Sequence, residues 1–241
     1  LRSSRKIEVH TLSEVKSISG EPGAYKVLVE KKPSYVNDKC VLCDHCTAVC
    51  PSERKNDFNY DMDQTKAIFL PNAMAFPSRY VIDREACESG CDICAEACTY
   101  GAIDLGMKTG ETEFDAASIV FATGWKPYDA KKLKNLGFSI SPDVINNVMM
   151  KRLASVSGPT KGRILRPSNQ EPVESVAFVQ CAGSRDENHL PYCSSICCLG
   201  SLKQANYLLE QNPDTRVSIF YIDIRTAGKY EDFVASVQSH P

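Results

Sequence analysis

Cys40-Val-Leu-Cys43-Asp-His-Cys46-Thr-Ala-Val-Cys50-Pro51 sets four thiols at the spacing C-x2-C-x2-C-x3-C and follows the fourth with proline. This spacing wraps three thiolates round one cube of iron and sulfide and sends the fourth to a second cube. A second group stands at Cys87, Cys91, Cys94 and Cys98, one residue longer in its first gap and followed by Thr99 in place of proline. The implied ligand sets cross: Cys40, Cys43 and Cys46 with Cys98 on one [4Fe–4S] cluster, and Cys87, Cys91 and Cys94 with Cys50 on the other. The crossing ties the two halves together and holds the clusters close enough for fast electron hopping.

Each group follows a short strand-like stretch, Ser34-Tyr35-Val36 and Tyr80-Val81-Ile82-Asp83, so the pair reads as the internal repeat of a dicluster ferredoxin. Zinc is the competing reading, since paired C-x-x-C units hold a tetrahedral ion. It leaves surplus thiolates in each group and gives no reason for Pro51. The extra residue in Cys87-Glu88-Ser89-Gly90-Cys91 is absorbed at Gly90, and residues 51–86, with Pro71 and Pro77, read as a loop shielding one cluster from water. His45 reads as a surface residue or a tuner of potential, not a ligand.

Across 241 residues the charges nearly balance, 28 Lys+Arg against 30 Asp+Glu, which leaves no basic field for nucleic acid. The longest apolar runs, such as Ala116 to Ala122, are too short for a transmembrane segment, and the start has no signal-peptide pattern. The 12 cysteines are bunched in three tight groups, which suits metals better than disulfides and implies a reducing, anoxic cytoplasm. Beginning at Leu1 and ending at His240-Pro241, the sequence reads as a piece of a longer polypeptide. The run Lys131-Lys132-Leu133-Lys134 reads as a solvated face.

Ahead of the cysteines, Ile7-Glu8-Val9-His10 and Tyr25 to Glu30 read as strands, with a turn at Gly20-Glu21-Pro22-Gly23 between them. Behind them, Phe114 to Trp125 reads as a buried strand ending in Ala122-Thr123-Gly124, small residues that let a backbone approach a cofactor closely. After a polar linker (155–169), Val176 to Cys181 reads as a fully buried parallel strand. Residues 195–211 read as a helix, with Ile196, Leu199, Leu202, Ala205 and Leu209 at helical spacing, and Arg216 to Ile222 as the next strand. This is a β-α-β unit of dinucleotide-binding type, yet no Gly-x-Gly-x-x-Gly occurs in the chain. Cys181, Cys193, Cys197 and Cys198 stand in its place. A helix N-terminus there favours thiolates and an anionic cluster. Three readings stay open: a third [4Fe–4S] cluster, a redox-active or substrate-facing thiol pair, and inert buried cysteines. Neighbours Cys197 and Cys198 do not easily face one point.

With these residues in hand, the chain resembles the A-type subunit of heterodisulfide reductase and its relatives, which include flavoprotein subunits of quinone-interacting oxidoreductase complexes. The resemblance runs through Thr11-Leu12-Ser13-Glu14-Val15, Lys31 to Val36, both cysteine groups, Tyr80 to Asp83 and Phe121-Ala122-Thr123-Gly124. It continues through Gln180 to Asp186, Tyr192 to Cys198, and Phe220 to Arg225.

The resemblance implies an α/β fold: a partial thioredoxin-reductase-like core of two dinucleotide domains, carrying an inserted α+β dicluster ferredoxin domain. Its parts would be 1–33 in the FAD-binding domain, 34–108 as the ferredoxin-like 2[4Fe–4S] insert, 109–158 as the return to the FAD-binding domain with a linker, and 159–241 as a truncated, degenerate nucleotide-binding-like β-α-β domain. It places Glu14 and Val15 by the adenosine end of FAD and Ala122, Thr123 and Gly124 nearer the flavin, with the FAD glycine motif upstream of Leu1. It further implies electron transfer among FAD, clusters and other redox subunits of a multi-subunit complex, with flavin-based bifurcation in some members and NAD(P)H not the direct donor. The longer first gap at Cys87 departs from a family spacing of two residues there. The alternatives are a non-catalytic ferredoxin-like carrier on a degenerate scaffold, and a zinc-stabilised interaction domain.

Overall fold

The computed structural model describes residues 6–239, so Leu1 and His240-Pro241 lie outside the described residues. The chain is mixed α/β and divides into two units, one running to Phe58 and over Gln64–Gly124, the other made of Asn59–Asp63 and the chain from Trp125.

In the first unit, β1 (Ser13–Glu21) and β2 (Ala24–Lys31) form an antiparallel hairpin, and β7 (Gly110–Ala116) lies on the far side of β2. Gly20 is required at the hairpin end: its φ is +91°, and a Cβ there would stand 2.2 Å from the carbonyl oxygen of Ala24. Ion pairs dress the strand faces, Lys26 to Glu113 at 2.6 Å and Lys16 to Glu30 at 3.0 Å. The register is informative. Lys31, where β2 ends, lies opposite Gly110, where β7 begins. The chain therefore leaves this sheet and returns to it at the same rung, and everything between is hung from one point.

What hangs there is a small layered body. It contains α1 (His45–Val49), the hairpin of β3 (Glu53–Lys55) and β4 (Gln64–Lys66), the pair β5 (Ile68–Phe69) with β6 (Val81–Ile82), and α2 (Ile93–Glu96). Its two halves are stitched by a bridge from Val36 to Ile103, with Asn37 N–H donating to the Ala102 carbonyl at 2.8 Å and Asp104 N–H to Tyr35 at 3.0 Å. The core comprises Val36, Ala67, Ile68, Tyr80, Ile82 and Ala102 together with Cys46, Cys50 and Cys94. Cysteines are core residues here, in a body too small to bury much else.

The second unit carries α3 (Asn147–Leu153), β8 (Ser175–Val179), α4 (Cys197–Gln211), β9 (Arg216–Phe220) and α5 (Tyr230–Gln238). Strands β8 and β9 pair in parallel from Ser175–Arg216 to Val179–Phe220, with α4 as the crossover, the β-α-β unit expected. Helix α3 starts where the Asn146 side chain accepts from the N–H groups of Val148 and Met149, satisfying two of its free donors. A polar seam fastens it to α4: Asn147 Nδ2 donates to Ser201 and Gln204, and Gln204 Nε2 donates back to the Asn147 carbonyl at 2.7 Å. The stretch 155–169 is no loose linker. Ile164 packs against Met150 and Leu208, and the Gln211 side chain holds the backbone at Gly162 and Ile164.

Several expectations are corrected. Residues 7–10 form no strand, because pairing begins only at Ser13, and Ile7 and Val9 stay exposed. The buried strand over Phe114 to Trp125 does not exist as such. Its first three residues end β7, and the remainder is irregular, with Val120 88%, Phe121 73% and Trp125 74% exposed. No described residue supplies the ladder partner that segment needs. Strand β8 alternates exposed and half-buried residues, since it belongs to a two-stranded sheet covered on one face. In α4 the buried face runs through Cys198, Ser201, Leu202, Gln204, Ala205 and Leu208, while Ile196 precedes the helix and is exposed.

Candidate metal centres

The first thiol ring is built by backbone turns. Leu42 and Asp44 adopt left-handed conformations, at φ 57° and 64°, on either side of Cys43, and α1 then starts at His45 and turns the buried Cys46 inward. Left-handed backbone at a leucine is uncommon, and such strain collects where a fold must aim particular groups. Cys40, Cys43, Cys46 and, from the second motif, Cys98 line one cavity whose apolar wall includes Val36, Ile68, Tyr80 and Ala102. Ile68 and Tyr80 belong to the stretch between the motifs, so that stretch does cover this cavity. His45 lies on its rim, exposed. Burial pushes the Cys46 thiol up to about 11. A thiol so placed ionises readily only against a bound cation. Ala102 N–H donates to the Cys98 sulfur at 3.3 Å, and Tyr80 Oη donates to the Asp44 carboxylate.

On the other side, Cys50 of the first motif is buried in one core cluster with Cys94 of the second, and Cys87 packs against that cluster. Burial raises the Cys94 thiol, and the charges of Cys87, Cys50 and Cys91 raise it further; Cys87 is raised by burial and then by Cys50 and Cys91, against an opposing pull from Arg84. Gly90, at φ +75°, turns the longer first gap, and Glu88 N–H reaches the Ser52 hydroxyl at 3.3 Å.

Both rings offer four thiols and no competing hard ligand, a donor set that fits an iron–sulfur cluster. Among the described residues, no three His, Cys, Asp or Glu side chains converge on a point as one metal ion requires. The first ring surrounds a space instead. Zinc would draw its thiolates to about 2.3 Å.

The third group sits where the loop after β8 meets the start of α4. Cys181, Arg185 and Ser195 are all left-handed, at φ 56°, 58° and 57°. The Cys193 thiol is pulled down by the Ser195 N–H, which donates to its sulfur at 3.4 Å, and by the charges of Arg225 and Arg185. The guanidiniums of Arg185 and Arg225 are both gripped by the Asp223 carboxylate. Cys198 is buried and accepts from Arg225 N–H at 3.4 Å, whereas Cys197 is exposed and pairs with the Ser194 hydroxyl at 3.3 Å. The two neighbours thus face different surroundings. The turn between Cys181 and Cys193 lies flush on Tyr128: a Cβ on Gly183, at φ +79°, would meet that ring at 2.9 Å, and Tyr128 is tied to His189 at 2.7 Å.

The flavin-side residues are not gathered in this way. Glu14 lies exposed on β1, its carboxyl held below the usual range by Lys16, and Val15 sits at a bulge in the same strand. Ala122, Thr123 and Gly124 are exposed beyond β7, and among the described residues no hydrogen bond joins them to Glu14 or Val15. Sequence reasoning missed Arg84, Asp223 and the Tyr80–Asp44 pair as parts of these sites. Asp223 and Arg185 lie too far apart in sequence for local spacing to reveal them.

A cysteine-rich α/β chain in which Cys40, Cys43, Cys46 and Cys98 line one cavity has the donor chemistry of iron–sulfur proteins. No family model matches it. It is 44% identical, over 96% of its length, to the A-type subunit of the ferredoxin/F420H2-dependent CoB-CoM heterodisulfide reductase of Methanosarcina acetivorans, of which it covers 30%. It is 39% identical, over 94% of its length, to the A-type subunit of the H2:CoB-CoM heterodisulfide,ferredoxin reductase of Methanothermobacter marburgensis, covering 35% of that protein. Against the A-type iron-sulfur subunit of the CoB–CoM heterodisulfide reductase of Methanocaldococcus jannaschii the identity is 38%, over 96% of this chain and 36% of the relative. The chain is a homologue of the heterodisulfide reductase A-type subunits over one segment, and it spans about a third of the length of these curated relatives. Among the described residues no helix is long and apolar enough to cross a membrane.

Proposed function

We propose that this chain is the segment of an anaerobic electron-transfer oxidoreductase subunit that carries two [4Fe–4S] clusters on a ferredoxin-like insert within a flavoprotein core. Cys40, Cys43, Cys46 and Cys98 hold one cluster; Cys87, Cys91, Cys94 and Cys50 hold the other. The observation that carries this reading is that Cys98 of the second motif lines the cavity of the first, while Cys50 of the first is buried in one cluster with Cys94 of the second. The return of the chain to its sheet at the rung it left, Lys31 opposite Gly110, supports an insert. When bound, the clusters supply one-electron storage and transfer. The chain's residues set the spacing of the rings, bury Cys46, Cys50 and Cys94 away from water, and place N–H donors on sulfur.

In this reading FAD lies against Glu14, Val15 and the Ala122-Thr123-Gly124 turn and is completed by chain beyond this segment. Exposed Val120, Phe121 and Trp125 beside that turn support a surface covered in the whole protein. Cys181, Cys193, Cys197 and Cys198 are the ligands of a third [4Fe–4S] cluster, a reading supported by the N–H donors on the sulfurs of Cys193 and Cys198. Electrons pass to other redox subunits of the complex, and the flavin divides electron pairs between acceptors. The test is iron and acid-labile sulfide per chain after anaerobic purification, with low-temperature EPR of the reduced protein and a flavin spectrum of the full-length chain. About eight irons with two interacting signals are expected from the two crossed rings, and about twelve with the third cluster, so that a count of about eight refutes the third alone. Zinc without sulfide refutes the clusters, and clusters without flavin leave only a carrier.

A further inference from the structure

Resting on the third-cluster reading, we infer that Asp223 is the positioning residue of that centre: its carboxylate clamps the loop after β8 to the loop after β9 and so aims the thiols at one another. Cys181 and Cys193 stand at the two ends of the loop after β8, and Cys197 and Cys198 open α4. The loop after β9 brings no thiol. It brings Asp223 and Arg225. One carboxylate oxygen of Asp223 accepts from Arg185 Nη1, and the other accepts from Arg225 Nε at 3.2 Å.

Each grip reaches a ligand sulfur through the backbone. Arg185 lies between Cys181 and Cys193 with its backbone left-handed, so the loop doubles back. Its N–H donates at 3.2 Å to the carbonyl of Tyr192, the residue before Cys193, and the fold-back is closed by Asp186 N–H to Leu190 and Leu190 N–H to Gly183, each at 3.1 Å. Holding Arg185 therefore holds Cys193. On the other arm, Arg225 N–H donates to the Cys198 sulfur at 3.4 Å, and the Asp223 carbonyl lies 3.9 Å from the same sulfur. Both oxygens of Asp223 are taken by guanidiniums, so it acts on the thiols through these loops and not as a ligand. No other acid does the same: among the described residues no further carboxylate pairs with either guanidinium, and Asp186 accepts from Asn188 N–H at 2.9 Å.

A plain surface ion pair is the rival account. The Asp223 and Arg225 side chains are each 46% exposed, and pairs so exposed add little to folding stability. That weakness separates the two accounts. Groups that orient metal ligands matter to the hold on the metal far more than to the fold around it.

The test challenges the full-length, anaerobically purified protein with graded iron chelator, following iron per chain, the EPR signals and hydrogen exchange. In Asp223→Asn about four of about twelve irons should leave at about tenfold lower chelator concentration than in wild type. The two crossed rings should release theirs as before, and protection of α4 around Leu208 should not change. Asp223→Glu keeps the charge and should restore most of the resistance. Arg185→Gln should match Asp223→Asn, and the double variant should be no worse than either, because all three remove one clamp. If Asp223→Asn fails to fold, Arg185→Gln and Asp223→Glu decide. The inference is overturned when the single variants release iron as wild type does, when their effects add in the double variant, or when protection around Leu208 falls together with the iron. A wild-type count of about eight irons overturns the third-cluster reading itself, whatever the variants do.

Discussion

Cys43 is exposed while Cys46, one helical step further on, is buried with its thiol pushed up to about 11. Replacing Cys46 therefore damages packing as well as ligation, whereas replacing Cys43 removes little but a sulfur. In Cys43→Ala, iron per chain should fall by about four atoms, with one of the two interacting EPR signals lost and the other still reducible. Wild-type iron in that variant ends the ligand assignment. Single residues also show why the sites were only partly legible. The thiols announce themselves by spacing, but the groups that tune them do not. Arg84 is three residues from Cys87 and looks like any surface arginine until its side chain is seen turned onto the loop. Arg185 and Arg225 meet only because both grip Asp223.

Elements were legible where one periodicity ruled them. Helix α4 shows its leucines at helical spacing and ends before Pro213, and β8 and β9 are compact apolar runs. The face of α4 was misjudged because Ser201 and Gln204 are buried by hydrogen bonds to Asn147, and polar burial leaves no hydrophobic pattern. Helix α3 is two turns long, too short for a period, and it rests on its cap. Asn146→Ala should lower stability by about 1 kcal/mol, read as a shift of the urea midpoint at unchanged slope. A shift within error would mean that the seam from Asn147 to α4 holds the helix unaided. The segment after β7 misled for the converse reason. It has the composition of a buried strand, but a strand is made by neighbours as much as by its own residues.

At the scale of the molecule, the cysteine repeat marks the stretch between β2 and β7, and the register sets Lys31 opposite Gly110, so the chain rejoins its sheet at the rung it left. The division of the chain after Gly124 had no compositional signal, because Trp125 to Leu136 is as mixed as what precedes it. The core of the 34–108 body includes Cys46, Cys50 and Cys94, so whatever binds those thiols is part of what keeps it folded. Stripping iron with a chelator under reducing conditions should therefore abolish hydrogen-exchange protection in that body while sparing α3 and the part of α4 around Leu208. Their packing on Met150, Ile164 and Leu208 involves no cysteine. Equal loss in both units would show that the metal holds more than the insert.

The placing of Cys98 among Cys40, Cys43 and Cys46 also sets a timetable. A chain grows from its N-terminus, and the first three thiols leave the ribosome well before their fourth partner. Neither ring is complete until translation enters the second motif, because each borrows a sulfur from the other: one closes at Cys94, the other only at Cys98. For that interval the nascent protein displays unclosed thiol sets, open to oxidation or to the wrong metal. Closure of the first ring must then wait for synthesis to pass Cys98, and a polypeptide cut short between Cys94 and Cys98 has the thiols of the second centre alone.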